Sequence, residues 1–213
     1  PLPTNWAAGH FAILLVYLDQ GAASTPTNWT IVTGAPWGTA TPKLYAFYRT
    51  LAVGDANPLT TISGSGTGLC NVGAIATYTG VSISGPIDKV GTASVGTGTP
   101  MTAGSIDTVT NGAWVLGLCG RGDNEASDTQ TFAASATGVN ERFDSGSNAG
   151  DDAQVSLYDK TIATAGSTGD GSATTSATDP WVSVLIALKP GAGVISPSVS
   201  ASVSASRSPS VSA

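Results

Sequence analysis

Turn-forming clusters interrupt this chain at short intervals, and no segment between them carries apolar residues at helical spacing over three turns. Residues 64–68 and 166–172 are examples, since Gly, Ser and Thr dominate both. The runs between such clusters are short and rich in β-branched, aromatic and aliphatic residues, which is the composition of strands. With 27 glycines and 12 prolines in 213 residues, long helices are disfavoured as well. The sequence therefore predicts an all-β fold.

Several runs have the length and composition of strands. They are residues 11–18, 29–33, 43–51, 59–63, 69–79, 113–119, 129–136, 154–161 and 181–189. About nine to twelve strands in a chain of this size favour one antiparallel β-sandwich of two sheets, of jelly-roll type, over residues 1–190. Two separate domains would each have a poor core.

The last predicted strand shows the two-residue period most clearly. Val182, Val184, Ile186 and Leu188 alternate with residues that are also mostly apolar. We predict that Val184 and Ile186 both face the space between the two sheets. Because the opposite face is apolar too, we expect a central strand that is covered on both sides. The second sheet covers one side, and a neighbouring molecule is the candidate cover for the other.

Charge and hydropathy exclude two classes of partner. Eight basic residues against 14 acidic residues give a net charge of −6, so no broad basic surface is available to neutralise nucleic-acid phosphates. The most apolar stretch, residues 11–18, is about half of the ~18 residues that a membrane-spanning helix needs. We therefore expect neither nucleic-acid binding nor membrane insertion.

The sequence predicts a protein that is not an enzyme and that uses no metal and no cofactor. A hydrolase needs a nucleophile and a base, but His10 is the single imidazole and is more typical of a polar residue at the start of a strand. Acidic residues cluster near Asp123 and Asp151 without the ordered spacing of a calcium loop, so solvated loops are favoured over a calcium site. Arg121-Gly122-Asp123 spells an integrin-binding tripeptide, which also arises by chance.

The two cysteines stand alone in predicted strands, without the paired spacing of a structural zinc site. We predict that Cys70 and Cys119 are small buried residues with free thiols. A disulfide between them is the alternative, and it would require an oxidising compartment. Neither arrangement makes them metal ligands.

Five tryptophans and five tyrosines are enough to form a sugar-stacking platform. Most of them are expected in the core, because Trp29 and Trp181 flank or occupy predicted strands. Trp37 lies in a Pro-Trp-Gly loop, so we expect its ring to be exposed and name it the candidate carbohydrate contact. Asn28 begins an N-glycosylation sequon, but an Asn in the turn before a strand is the favoured explanation of this residue.

A change in composition after residue 190 separates a low-complexity C-terminal arm, residues 191–213. From Ser196 to Ser212 every even-numbered residue is Ser, while Val, Ala, Pro and Arg fill the odd positions. In an extended arm, one face carries the apolar assembly residues Val199, Ala201, Val203, Ala205 and Val211. The other face carries the candidate O-glycosylation sites Ser198, Ser200, Ser202 and Ser204.

Such an arm cannot order itself, because a lone strand leaves its backbone groups unpaired. We predict that residues 194–213 are ordered by another subunit rather than by their own domain, through addition of a strand to that subunit's sheet. Pro197 and Pro209 are expected to flank the added strand, since both lack the N–H donor. A glycosylated stalk and a plain linker are the alternatives.

Several short motifs, in this order, resemble jelly-roll-like modules of phage minor tail proteins and bacterial surface proteins. They are residues 8–16 (AGHFAILLV), 26–30 (PTNWT), 44–49 (LYAFYR), 76–81 (ATYTGV), 86–88 (PID) and the closing segment 181–190. The resemblance covers residues 1–190 and implies a structural or adhesive part on a virion or cell, with no catalytic residues to transfer. Asn28 departs from the family, which more often has Gly before this Trp, and the arm lies outside the module.

The combined prediction is a structural subunit of an extracellular or virion-associated fibre, assembled from copies of itself through the arm, with O-linked glycans as an addition. A head-to-tail contact of this kind generates an open filament when it does not close on itself. A carbohydrate-binding adhesion module, with the arm as a spacer, is the alternative. A polysaccharide-cleaving enzyme of a phage appendage is the least favoured hypothesis.

Overall fold

The structure, a computed structural model, describes residues 2–18, 21–38, 43–55, 70–122, 129–132, 138–147, 153–174, 178–192 and 199–207. In these segments the chain forms 14 strands and no helix. The strands are β1 (Phe11–Leu18), β2 (Thr30–Ile31), β3 (Lys43–Thr50), β4 (Cys70–Tyr78), β5 (Ile87–Val90), β6 (Ser94–Thr97), β7 (Met101–Ala103), β8 (Ala113–Arg121), β9 (Thr129–Phe132), β10 (Asn140–Ser147), β11 (Ala153–Ile162), β12 (Gly171–Thr174), β13 (Pro180–Leu188) and β14 (Val199–Arg207).

The strands pair antiparallel and form three sheets. The first sheet has the order β14-β4-β1-β3-β2. The second has the order β10-β11-β8-β13-β5, with β6 also paired to β13, and the third has the order β7-β12-β9. The first two sheets pack face to face around a shared core. The prediction of an all-β antiparallel sandwich is confirmed.

The main core lies between the first two sheets. Odd-numbered residues of β1, from Phe11 to Tyr17, pack in one cluster with even-numbered residues of β8 and β13. Val184 and Ile186 belong to this cluster and are fully buried, so the prediction that both face the intersheet space is confirmed. Burial of an aliphatic side chain of this size contributes about 1.5–3 kcal/mol, which makes this layer a large source of stability.

The outer faces of both large sheets are covered as well. Leu185 of β13 packs with Met101 of β7 and Ala173 of β12, so the third sheet covers the second. The segment before β1 and the loop before β2 cover the first sheet through Leu2 and Trp29. The second face of β13 is therefore covered by the chain itself, which corrects the expectation of a neighbouring molecule. The third sheet is an addition that the two-sheet prediction lacked.

Predicted and observed strands agree best where apolar runs are long. The prediction for β1 is correct at both ends, and those for β3, β4, β8, β11 and β13 are correct to within two residues. The sequence pattern does not predict β5, β6, β7, β10 and β12, because these strands are short or polar, and it assigns the start of β12 to a turn. The predicted strand 59–63 lies outside the described residues.

Asn28 lies in the turn directly before β2, as one of its two explanations predicted. Its φ is 65°, in the left-handed region where Gly is favoured and Asn is among the better tolerated side chains. This conformation gives a physical reason for a Gly or an Asn before the buried Trp29. Asn28 is exposed.

β14 pairs with β4 of the same chain along its whole length and forms one edge of the first sheet. The prediction that residues 194–213 are ordered by another subunit rather than by their own domain is therefore wrong for residues 199–207 of this chain. The reason is that β4 offers a sheet edge close to the end of β13. Pro197 and Pro209, expected to flank the added strand, lie outside the described residues.

Candidate functional site

The backbone edge of β4 that pairs with β14, here called the arm-docking edge, has a register that matches the alternation in the arm. Val199 pairs with Tyr78, Ala201 with Ala76, Val203 with Ala74 and Ala205 with Val72. These four β4 residues belong to the main core. Directly opposed residues of neighbouring strands share one face of the sheet, so the odd positions of β14 are in register with core residues of β4 and the even-numbered serines with residues of its other face.

The arm-docking edge differs from the other described edges of the two large sheets. β2 has two residues, and β5 has four with Asp88 and Lys89 among them. β10 carries Glu141, Arg142 and Asp144, and its register with β11 shifts near Arg142. Short length, charge and bulges prevent unwanted edge pairing. β4 has nine residues with no charge and no proline, so it needs a partner strand.

The end of β13 and the start of β14 lie at the same end of the sandwich. The Gly191 amide donates to the Gly80 carbonyl oxygen at 2.7 Å, and Val199 lies opposite Tyr78. These two anchors of the connection are therefore about 10 Å apart. Eight residue steps reach about 26 Å, so the chain between Gly191 and Val199 is longer than the distance that it has to span.

A buried polar network joins the two large sheets beside the start of β14. The Tyr78 hydroxyl donates to Asp159 Oδ2 at 2.8 Å. Arg142 donates to the same carboxylate through Nε at 2.6 Å and Nη2 at 2.9 Å. The Asp159 side chain is fully buried, whereas that of Arg142 is 19% exposed. Because Tyr78 lies on β4 and the other two lie on β11 and β10, the network ties the arm-docking edge to the facing sheet.

Trp114 packs against two members of this network. Its ring meets that of Tyr78 edge-on, with centroids 5.7 Å apart, and the Arg142 guanidinium lies 5.9 Å from the Trp114 centroid. Burial, followed by the charge of Asp159, raises the pKa of Tyr78 well above its ordinary value. Burial lowers the pKa of Arg142. The hydrogen bonds to Asp159 and the negative charge of Asp159 together raise this pKa by more than burial lowers it, so the net shift is upward. The network therefore keeps a neutral phenol and a charged guanidinium.

Trp37 is buried in the main core and only 6% exposed. Its backbone amide donates to the carbonyl oxygen of Leu44, and the Leu44 amide donates back, both at 2.9 Å. The expectation of an exposed ring is wrong, because this bridge folds the Pro-Trp-Gly loop against the start of β3. A ring in this position has no free face on which a sugar could stack.

The other described aromatic side chains are buried or half-buried too. Trp6 packs against the cluster on the outer face of the first sheet, and the Trp181 indole donates to the Gly98 carbonyl oxygen at 2.8 Å. Within the part of the chain whose side chains the structure describes, no aromatic ring is fully exposed. Hydrophobic content alone could not distinguish core rings from a binding platform, since both use the same residue types.

Cys119 is a free, buried thiol on the face of the second sheet that the third sheet covers. Its Sγ lies 3.2 Å from Ser183 Oγ, and burial raises its pKa to about 11. The prediction of a buried free thiol is confirmed for Cys119, and the alternative of a disulfide with Cys70 is wrong. Cys70 is the first residue of β4 and pairs in register with Arg207.

The structure also describes two other candidate residues, His10 and Arg121, and places both in contacts within the sandwich. His10 directly precedes β1, accepts a hydrogen bond from the Ala7 amide at 3.2 Å, and has its pKa lowered by burial. Arg121 is only 2% exposed and donates to Gln154, so it is not displayed as part of an integrin tripeptide. No group of three metal-binding side chains occurs among the described residues. Besides Pro197 and Pro209, four predicted positions lie outside the residues that the structure describes, namely Asp123, Asp151, Ser198 and Val211.

Comparisons with protein-family models, with curated proteins and with solved structures find no match to this chain. In the described parts of the chain, no helix has the length and apolar character needed to cross a membrane. A functional assignment therefore depends on the geometry of the arm-docking edge and its surroundings.

Proposed function

We propose that this chain is a structural subunit of an extracellular or virion-associated fibre, in which the C-terminal arm connects one copy to the next. One observation carries the proposal, namely that β14 fills a nine-residue, uncharged sheet edge and is joined to the sandwich by a connection with length to spare. Strand addition by a terminal segment provides affinity through backbone hydrogen bonds and specificity through alternate side chains. The alternation of Ser with Val and Ala in the arm suits it to strand addition.

The packing of the sandwich supports a mechanical role. The core between the large sheets and the clusters on their outer faces bury both sides of β1 and of β13. Charged residues make up 10% of the chain, which suits an exposed and hydrated surface built from Ser, Thr and Gly. O-linked glycans on the even-numbered serines of the arm stay part of the proposal, as an addition to the fibre.

The alternative of a carbohydrate-binding adhesion module loses its main support. Its candidate contact, Trp37, is a core residue, and the described aromatic rings offer no exposed stacking platform. The fibre subunit is therefore the function that the geometry favours.

Truncation of the arm tests the proposal. We expect the full chain to assemble into filaments when concentrated, as seen by sedimentation and negative-stain electron microscopy. A chain that ends at Gly193 should stay a folded monomer and should bind added peptide with the sequence of residues 197–209. Filaments of normal appearance from the truncated chain, or no assembly of the full chain at any concentration, would contradict the proposed function.

A further inference from the structure

We infer that the arm-docking edge is exchanged between copies, so that β14 of a second copy of this chain replaces the chain's own β14 on β4. This inference rests on the proposed function, because it names the partner and the acceptor surface of the same assembly. In the isolated chain, the edge is occupied by β14 of the same chain. This strand must be released before assembly.

The position of β10 favours exchange over simple addition at the outer side of β14. β10 is the last strand of the facing sheet, and it packs across both β4 and β14. A further strand beyond β14 would extend past β10 and would have no strand opposite it. The apolar odd positions of such a strand would stay uncovered, whereas the same residues on β4 share the face of core residues Val72 and Ala76.

The connection to β14 sets the conditions for exchange. Its spare length of about 15 Å lets the arm leave its own sheet and reach a neighbour. A connection of only eight residue steps also keeps the arm close to its own sheet, at an effective concentration in the millimolar range. Dilute chains should therefore keep the closed arrangement, and exchange should need concentrated chains or transient release of the arm. Reciprocal exchange closes a dimer, while exchange in one direction along a row of copies gives a filament.

A disulfide between two residues that lie opposite each other in β4 and β14 reports which chain supplies β14. Arg207 lies opposite Cys70, and directly opposed residues have Cα atoms about 4.5–5.5 Å apart, within the range that a disulfide spans. Arg207→Cys, with Cys119→Ser to remove the second thiol, should therefore form a disulfide with Cys70 on oxidation. Ser206→Cys in the same background is the matched control, because Ser206 lies opposite Asn71 and on the other face.

Two versions of the Arg207→Cys chain, one carrying a size tag, are mixed, assembled and oxidised. We expect dilute chains to give intrachain disulfides and assemblies to give disulfides between tagged and untagged copies, with at least tenfold less product for Ser206→Cys. Assemblies in which Cys70 is bonded only to the introduced thiol of its own chain, or that link the Ser206→Cys control equally well, would overturn exchange while leaving the fibre proposal intact.

A shortened connection between β13 and β14 tests exchange in solution, where filaments are not needed. Removal of residues 193–198 leaves about 7 Å of chain to span the ~10 Å between the anchors, so the arm can no longer close on its own sheet. We expect this variant, with Arg207→Cys and Cys119→Ser, to give disulfide-linked dimers or larger species. Replacement of the same six residues by a Gly/Ser sequence of equal length should restore the monomer. Intrachain bonds in the deletion variant would overturn the inference.

Discussion

β13 and β14 are consecutive strands with the same two-residue period, yet they hold opposite places in the fold. β13 pairs with β8 on one side and with β5 and β6 on the other. Its even-numbered residues lie in the main core, and Leu185 and Ala187 lie under the third sheet. Among the described strands, β14 pairs with β4 alone, and it forms an edge of the first sheet. Alternation decides which face a residue occupies, but apolar content on the second face decides whether a strand becomes central.

The same comparison explains why one strand is permanent and the other exchangeable. Releasing β13 would break pairing on both edges and expose two core clusters, a change equivalent to unfolding the sandwich. Releasing β14 breaks one set of backbone hydrogen bonds and leaves β4 with an open edge. Edge segments with few buried contacts open at lower free energy than central strands.

Ile186→Ala should lower the free energy of unfolding by about 2–5 kcal/mol, because it leaves a cavity at a fully buried site in the main core. Val203→Ala in β14 should lower it less, on the order of 1 kcal/mol. Urea unfolding followed by fluorescence measures both, with the midpoint changing and the slope unchanged. Equal losses at the two positions would contradict the distinction between the strands.

Arg142→Met should cost on the order of 3 kcal/mol, because it leaves the fully buried Asp159 carboxylate without its charged partner. The double variant Arg142→Met, Asp159→Asn should be more stable than the single variant, since no unpaired charge remains. Thermal unfolding compares the two. If the network ties the arm-docking edge to β10, the single variant should also release β14 more readily while β13 stays protected. A double variant that is less stable than the single one would argue against this role.

Chemical modification of Cys119 reports on β13, and modification of Cys70 reports on β14. Cys119 lies beside Ser183 of β13, and Cys70 pairs in register with Arg207 of β14. Because Cys119 is buried and its pKa is about 11, a thiol reagent at pH 8 should modify it only on unfolding. Truncation after Gly193 should speed the modification of Cys70 alone, as resolved by peptide mass spectrometry. Equal acceleration at both thiols would show that the arm stabilises the whole sandwich.

A smaller effect is expected from pH. The folded chain holds the Cys119 proton up to a pKa of about 11, whereas the unfolded thiol releases it near the ordinary value of 9.0. The unfolded state therefore binds fewer protons between these values, and stability should fall as pH rises from about 9 to 11. Cys119→Ala should reduce this dependence in urea unfolding at pH 8 and pH 10. An unchanged dependence would assign it to the buried tyrosines instead.

The sequence predicted those parts of the fold in which local pattern and tertiary environment agree. β1 and β13 are apolar on both faces, so their existence and burial followed from composition. β10 and β12 were missed because they are polar or rich in Gly and Ser, and only pairing with neighbouring strands makes them strands. The third sheet was not predicted, although a strand that begins at Thr129 was, because its strands have only three or four residues each.

The candidate site was predicted only in part. The alternation in the arm indicated an extended strand with odd residues inward, and the register agrees with that face. The sequence could not reveal that the arm pairs with β4 of the same chain, because strand order is a non-local property. Trp37 was assigned to the surface because Pro and Gly flank it, and its bridge to Leu44 is equally invisible in a local pattern. The network of Tyr78, Arg142 and Asp159 has no sequence signal, since its members are far apart in the chain.

Hydrogen exchange of the full chain in dilute solution shows whether a self-contained sandwich carries a releasable edge strand. Amides of residues 199–207 should exchange through local opening, at least about tenfold faster than the slowest amides of residues 180–188, which should exchange only on global unfolding. Truncation after Gly193 should deprotect β4 and leave the protection of β13 unchanged. Equal exchange rates in β13 and β14, with the same dependence on denaturant, would show that the arm unfolds only with the sandwich and would contradict the account.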